Sequence, residues 1–264
     1  MKNLKFSIVT VSYNQAKFIE DNIKSIISQN YNNFEHIIVD ADSSDGTMQI
    51  LEKYNHLNWI SEPDNGQSDG LNKGFKKANG DIIGWINSDD MLHEGALKKV
   101  NEFFNNHPDA IAVVGNYVII DENNQIIKTI YPTEYTYNFV LNKAKAIAQP
   151  STFFKREVFE KIGYINEKYH YAMDRDFFIR ITSIDKIHYI NEDLAYFRWQ
   201  NDSKTMAGPY NFAKELLKIR RSYGGKFFSR GNMDTLYIIV SEPLGRIKWL
   251  RNIVRKIKGA ELIL

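Results

Sequence analysis

Asp81-Ile82-Ile83-Gly84-Trp85-Ile86-Asn87-Ser88-Asp89-Asp90 runs from an apolar strand directly into four polar residues. An apolar run this short, without polar alternation, reads as a strand buried on both faces. Asn87 to Asp90 cannot extend a sheet, so the strand ends there and its polar residues are presented at its carboxyl end. The same design occurs twice upstream. Phe6-Ser7-Ile8-Val9-Thr10-Val11 leads into Ser12-Tyr13-Asn14-Gln15, and His36-Ile37-Ile38-Val39 into Asp40-Ala41-Asp42-Ser43-Ser44-Asp45-Gly46. Leu57-Asn58-Trp59-Ile60 is a further strand. Between them lie helical patterns at 16–29, with Phe18, Ile19, Ile23, Ile26 and Ile27 on one face, and at about 47–54, 66–77 and 94–105. Strands alternating with helices make βαβ units and a mostly parallel sheet. In such sheets ligands bind beyond the carboxyl ends of the strands. Thr10 to Asn14, Asp40 to Asp45 and Asn87 to Asp90 are therefore expected to face one cleft.

The pattern changes after residue 110. Ile111 to Ile120 and Gln125 to Ile130 read as a hairpin across Asp121-Glu122-Asn123-Asn124. A Tyr-rich segment, a strand at Thr152-Phe153-Phe154 and helices near 156–162 and 174–182 follow. Composition divides the chain further. Residues 1–213 hold twenty-two Lys and Arg against twenty-eight Asp and Glu, a net of −6, while residues 214–264 hold twelve against four, a net of +8. The expected organisation is a domain over 1–210, with halves at 1–108 and 109–210, and a basic helical tail over 211–264.

The 264 residues are 43% hydrophobic and 25% charged, ordinary for a globular protein. The absence of Cys excludes disulfides, thiolate zinc sites and a Cys nucleophile. The opening Met1-Lys2-Asn3-Leu4 lacks a basic-then-apolar leader, and no apolar run approaches the roughly 18 residues of a membrane span. The expected location is the cytoplasm.

Three acidic groups carry the candidate chemistry. Ser88-Asp89-Asp90 suits a hard divalent cation, which takes one or two protein carboxylates and fills its remaining positions with water and phosphate oxygens; the same pair could simply cap the next helix. Asp40 and Asp42 could accept hydrogen bonds from a base or a ribose, or serve as turn residues. Asp174 and Asp176, at the start of a helix, could supply a general base, or a negative first turn that satisfies the helix dipole. Neither G-x-G-x-x-G nor G-x-x-x-x-G-K-[ST] is present, so no Gly-rich loop cradles a phosphate. A metal is then the expected partner of a diphosphate.

Taken in order, these residues resemble a known family. Ser7-Ile8-Val9-Thr10-Val11-Ser12-Tyr13-Asn14-Gln15, Ser28-Gln29-Asn30-Tyr31, Val39-Asp40-Ala41-Asp42-Ser43-Ser44-Asp45-Gly46-Thr47, Ser61-Glu62-Pro63-Asp64-Asn65-Gly66, Asn72-Lys73-Gly74, Gly80-Asp81-Ile82-Ile83-Gly84 and Asn87-Ser88-Asp89-Asp90 are similar to the front half of family 2 inverting glycosyltransferases. The likeness is greatest to the branch that builds bacterial surface polysaccharides such as O-antigen. It implies a GT-A fold, which is an α/β, Rossmann-like, mostly parallel sheet flanked by helices, here with a C-terminal helical extension. It implies a nucleotide-sugar donor of UDP type, a divalent Mn or Mg ion, and an acceptor hydroxyl on a glycan or polyprenyl-diphosphate-linked oligosaccharide. The resemblance makes 1–108 the nucleotide-sugar half and 109–210 the acceptor side.

Residue by residue, the resemblance implies that Thr10, Ser12 and Tyr13 line the nucleotide pocket, that Asp40 and Asp42 flank the base or ribose, and that Asp69 and Asn72 also serve the donor. Asp89 corresponds to a donor ribose or sugar contact, Asp90 to the metal ligand and Asp174 to the catalytic base. Asp176 and Arg198 are secondary candidates. Three features depart from the family pattern: Val11-Ser12 precede Tyr13 where a Pro is common, Ala41 replaces the second Asp of the usual pair, and Gln200 stands where many relatives carry His. Arg198-Trp199 is present, but Ala195 occupies the Gln position of the Q-x-x-R-W motif of processive relatives, so single-sugar transfer is expected. The alternative is a non-catalytic nucleotide- or glycan-binding module. Residues 244–258 place Ile247, Leu250, Ile253, Val254 and Ile257 at helical spacing among Arg and Lys. Such a helix suits an anionic inner-membrane surface or packs as a terminal helix; nucleic acid is not an expected partner.

Overall fold

The computed structural model describes residues 2–143, 147–200 and 208–245. Strands β1 (Phe6–Ser12), β2 (Phe34–Asp40), β3 (Leu57–Ser61) and β4 (Ile82–Trp85) pair in parallel in the order β3-β2-β1-β4. Helices α1 (Ile19–Ile27), α2 (Thr47–Leu51) and α3 (Gln67–Lys77) make the crossovers. α3 contains two glycines, which normally weaken a helix. Here they let it lie directly on the sheet: a Cβ at Gly74 would stand 2.5 Å from Val9 Cγ1, and one at Gly70 3.3 Å from Val11 Cγ1.

The second half extends the same sheet. After the two-residue strand β5 (Met91–Leu92) come α4 (Ala96–Asn106), the long β6 (Ala112–Ile120) and β7 (Ile126–Ile130). Then follow α5 (Tyr137–Asn142), a 3-10 turn at Gln149–Ser151, β8 (Thr152–Lys155), α6 (Val158–Ile162), α7 (Met173–Ile184) and β9 (His188–Arg198). The order continues β4-β8-β6-β9-β5, with β7 paired to β6. β8 is antiparallel to both β4 and β6, whereas β9 runs parallel to β6. The sheet is thus mixed in its second half. Phe75 of α3 joins the halves: its ring lies 4.9 Å from that of Phe159 and 6.2 Å from that of Phe154, and all three are buried.

The hairpin β6–β7 and the strand β8 fall where the sequence places them. β9 has no counterpart among the expected elements. Its centre, Asn191-Glu192-Asp193, breaks the apolar pattern, and only pairing with β6 buries Leu194, Ala195 and Arg198. Beyond it, α8 (Pro209–Ser222) and α9 (Arg230–Gly245) form a helical hairpin packed on α5 and α7. Its join is polar as well as apolar: buried Arg220 of α8 donates to Gly231 O and, at 2.8 Å, to Thr235 Oγ1 of α9. The basic amphipathic helix expected at 244–258 lies almost wholly outside the described residues. Among those described, no helix is long and apolar enough to cross a membrane.

Candidate active site

The loops after β1 and β2 are fastened to each other. The Asn14 backbone, with φ at 52°, donates to Ser43 Oγ at 2.8 Å, and Asn14 Oδ1 accepts from the Ser44 N–H at 3.0 Å. Ala16 N–H donates to Asp45 Oδ2 at 2.9 Å. Tyr13 stands at this junction with its side chain 63% exposed, available to stack. Ser12 is buried, and its Oγ finds no hydrogen-bond partner among the described residues. A buried hydroxyl without a partner at a strand end is a polar group free to bind.

The loop after β4 is held from four sides. Asn22 of α1 donates to the carbonyls of Asn87 and Asp90 at 3.0 and 2.9 Å. Asn87 donates to Gln149 Oε1 at 3.1 Å and accepts from Gln67 Nε2 of α3 at 3.3 Å. From β9, Arg198 Nε donates to Asp89 O at 2.9 Å and its backbone N–H to Asp90 Oδ1 at 3.0 Å. Gln200 Nε2 donates to Asp89 Oδ2 at 2.7 Å. Burial raises the pKa of both carboxyls, and that of Asp90 well above the usual range because Asp89 also repels its charge.

The two aspartates differ in exposure and in their partners. Asp90 is 1% exposed, and its oxygens accept from Arg198 and from Asn87 Nδ2 at 3.2 Å, so it anchors the loop instead of facing the cleft. Asp89 as a whole residue is only partly buried. A hard cation needs one or two protein carboxylates when phosphate and water complete its shell. Two poorly solvated neighbouring carboxyls gain from such a cation, so these residues fit a divalent metal. Among the described residues no cluster of three or more His, Asp or Glu offers a closed protein cage.

On the other side, Gly66 opens α3 with φ at 105°, and the His170 ring lies 3.5 Å from where a Cβ on it would stand. Ser68 Oγ donates to Tyr169 O at 3.1 Å. This contact fixes the segment that leads into Asp174, in the first turn of α7. Glu215 of α8 accepts the backbone N–H groups of His170, Tyr171 and Ala172, at 2.9, 2.7 and 3.0 Å. Asp174 accepts the Arg175 N–H at 2.7 Å, and burial raises its pKa while the Arg175 charge opposes the rise.

Several residues expected in the site support it from behind. Thr10 is fully buried, and its hydroxyl lies 3.1 Å from His36 Nε2 and 3.5 Å from Asn22 Oδ1. Asp40 is also fully buried; it accepts from Ser43 N–H and Oγ at 2.9 and 2.6 Å and from Ser61 Oγ at 2.8 Å. Asp42, exposed with φ at 57°, is the freer carboxylate of that loop. Asp69 accepts the Asn65 N–H at 3.0 Å and pairs with Lys73 at 3.4 Å. Asn72 clamps α3 to Ile165 through N–H and C=O, at 2.9 and 3.0 Å. Asp176 is bound by Arg180 at 2.9 Å and by Tyr223 Oη at 2.8 Å. Arg198, 1% exposed, is a hub of the loop, bonded to Asp89 O, Asn124 Oδ1 and Asp21 Oδ2. Sequence reading missed Asn22, Gln67, Gln149 and Glu215. Nothing in their local sequence marks them, because each acts across the fold.

Comparison with known proteins bears on the family and the fold. Residues 7–163 match the family model described as glycosyl transferase family 2. The putative teichuronic acid biosynthesis glycosyltransferase TuaG of Bacillus subtilis is 31% identical over 142 residues, 51% of this chain and 56% of its own. The crystal structure of Staphylococcus aureus TarS 1-349 in complex with UDP-GlcNAc superposes with a TM-score of 0.61 at 21% identity, covering 89% of this chain and 70% of that one. The mannosyltransferase PcManGT of Pyrobaculum calidifontis, in complex with GDP-Man and Mn2+, gives 0.64 at 17% identity, covering 100% and 77%. These likenesses show the fold, that of the GT-A glycosyltransferases. The chain spans from about a third to about two thirds of the length of the curated relatives it matches.

Proposed function

The chain belongs to glycosyl transferase family 2, and on that premise we propose that it moves one sugar from a nucleotide-sugar, of UDP type, to a glycan hydroxyl with inversion. The observation that carries the reading is the pairing of a partly buried Asp89, held by Gln200 and by the Arg198 hub, with Asp174 at the mouth of α7. The two stand on segments joined through α3: Asn87 bonds Gln67, and Ser68 bonds Tyr169.

Asp174 is the general base. Its carboxylate takes the proton of the acceptor hydroxyl as that oxygen attacks the anomeric carbon, and the bond to the nucleoside diphosphate breaks on the opposite face. A single displacement inverts the centre. Positioned base catalysis of this kind contributes about 10²- to 10⁴-fold. Asp176 cannot share the role, because its oxygens are committed to Arg180 and Tyr223. Asp89 is the residue that would hold a divalent cation, with Asp90 behind it; when bound, that ion supplies Lewis-acid stabilisation of the departing diphosphate. Ser12 and Tyr13 serve the nucleotide, with Asp42 beside them, since Ala41 offers no carboxylate for the base.

A donor screen tests the reading. The purified chain, with Mn²⁺ or Mg²⁺, is incubated with UDP- and GDP-sugars and released nucleoside diphosphate is measured. Release from one donor that is lost with EDTA, in Asp89→Ala and in Asp174→Ala is the expected result. Binding of a nucleotide-sugar without turnover on any glycan or lipid-linked acceptor would instead establish a binding module.

A further inference from the structure

The helical hairpin α8–α9 carries a surface that the transfer reaction does not use. Along α8, Tyr210, Lys214, Leu217, Lys218 and Arg221 fall on one face, and with Leu236 and Ile239 of α9 they line a groove of about 360 Å³. Lys214, Lys218 and Arg221 are exposed, and Lys226 and Arg230 extend the cationic edge into the turn and the start of α9. The acidic residue of α8, Glu215, points the other way and is committed to the backbone of residues 170–172. α9 continues the surface with apolar groups. Met233, Tyr237 and Val240, spaced for one helix face, are 53%, 38% and 59% exposed. At the tip of the hairpin Phe227 is 56% and Phe228 83% exposed, and the Arg221 guanidinium lies 6.0 Å from the centre of the Phe227 ring.

Large apolar side chains left in water as one contiguous patch mark a contact surface. The rim of this patch selects the partner. Cations flanking an apolar face, with aromatic rings at the edge, match the anionic headgroups and shallow acyl region of a membrane surface. We propose that the α8–α9 hairpin docks this protein on an anionic lipid bilayer, with Phe227 and Phe228 inserted at the interface and Lys214, Lys218 and Arg221 over the headgroups. The hairpin is bound through Glu215 and Tyr223 to the turn and first residues of α7, so the docking surface is fixed to the rest of the protein by hydrogen bonds. The surface is independent of which sugar is transferred, and its test needs no turnover.

The test is co-sedimentation of the full chain with vesicles of mixed phosphatidylcholine and phosphatidylglycerol, and with vesicles of phosphatidylcholine alone. The expected result is binding to the anionic vesicles only, weakened by salt. Phe227→Ser with Phe228→Ser, and separately Lys214→Gln with Lys218→Gln and Arg221→Gln, each lower the partition coefficient at least about tenfold, since a single cation near such a surface contributes about fivefold. All five side chains are exposed, so the variants keep the wild-type thermal unfolding midpoint and nucleotide-sugar binding. Absence of binding to anionic vesicles overturns the proposal. So does wild-type binding by both variants, which would put docking elsewhere in the chain, and so does a Phe227–Phe228 effect confined to the oligomeric state, which would make the patch a contact between copies.

Discussion

The backbone N–H of Arg198 donates to Asp90 Oδ1 at 3.0 Å, across 108 positions of sequence, while the same residue's guanidinium holds the carbonyl of Asp89. One residue at the end of β9 thus sets both members of an acidic pair at the end of β4. The guanidinium also reaches Asn124 Oδ1 at 2.6 Å and Asp21 Oδ2 at 3.1 Å, and stacks 4.6 Å from the centre of the Phe18 ring. Removing it leaves the Asp89 carbonyl without this partner and ends the ion pair with Asp21, whose side chain is 38% exposed. Arg198→Met should cost about 1–3 kcal/mol of stability, the usual cost of leaving a desolvated group without its hydrogen-bond partner. Urea unfolding checks this, and a loss below about 1 kcal/mol would reduce the hub to a surface contact.

Asp174 and Asp176 separate by what they lose. Asp174→Asn should fold normally and lower kcat about 10²- to 10⁴-fold with the donor KM unchanged. Asp176→Asn should lower the unfolding midpoint, because it breaks a buried pair with Arg180 and a bond from Tyr223. Equal loss of turnover in two equally stable variants would undo this division of roles.

The pH profile follows from Asp174. Burial lifts its pKa above the ordinary aspartate value of 3.8, and the base acts only when ionised. Turnover therefore falls as pH falls through that raised value, about tenfold per pH unit below it. An acid limb in kcat that persists unchanged in Asp174→Asn would assign the titration to another group.

Metal should stabilise as well as activate. Asp89 and Asp90 bind protons more readily folded than unfolded, so their contribution to stability decreases as pH rises from 3.8 through their raised values. A cation at Asp89 reverses that loss. At a hundredfold excess over its dissociation constant the gain is about 2.7 kcal/mol. Thermal melts at neutral pH with Mn²⁺ and with EDTA read it directly, and Asp89→Asn should make the two curves coincide. Coincident curves in the wild type would contradict a metal at this position.

Glu215 tests the support of the base. Glu215→Ala frees three N–H groups at the entry to α7, and a hydrogen bond to a charged group contributes about 1.5–3 kcal/mol. Lower stability with a fall in kcat larger than any rise in KM is expected, and Glu215→Gln, which keeps one acceptor oxygen, should recover part of both. Unchanged kcat in a destabilised Glu215→Ala would confine its role to packing.

The sequence alone determined the first half of this protein. Buried parallel strands are continuous apolar runs, and each ends where a polar run such as Asp42 to Asp45 or Asn87 to Asp90 cannot extend the sheet, so strand, loop and cleft side all follow from local chemistry. The ordered motifs likewise marked Asp89 and Asp90 as candidates, and the resemblance they carry marked Asp174. The tertiary structure decided which of them is presented and which is spent. Asp90 and Asp89 are neighbours of identical chemistry, and only the arrival of β9 from far along the chain buries one and leaves the other partly open. Asp174 and Asp176 lie in one helical turn, and Arg180 and Tyr223 commit the second. β9 itself was unreadable because its middle is polar and its stability comes from pairing with β6. Hydrogen bonds between distant segments leave no period in the sequence, so the contacts of Asn22, Gln67, Gln149 and Glu215 formed only once the chain had folded around them.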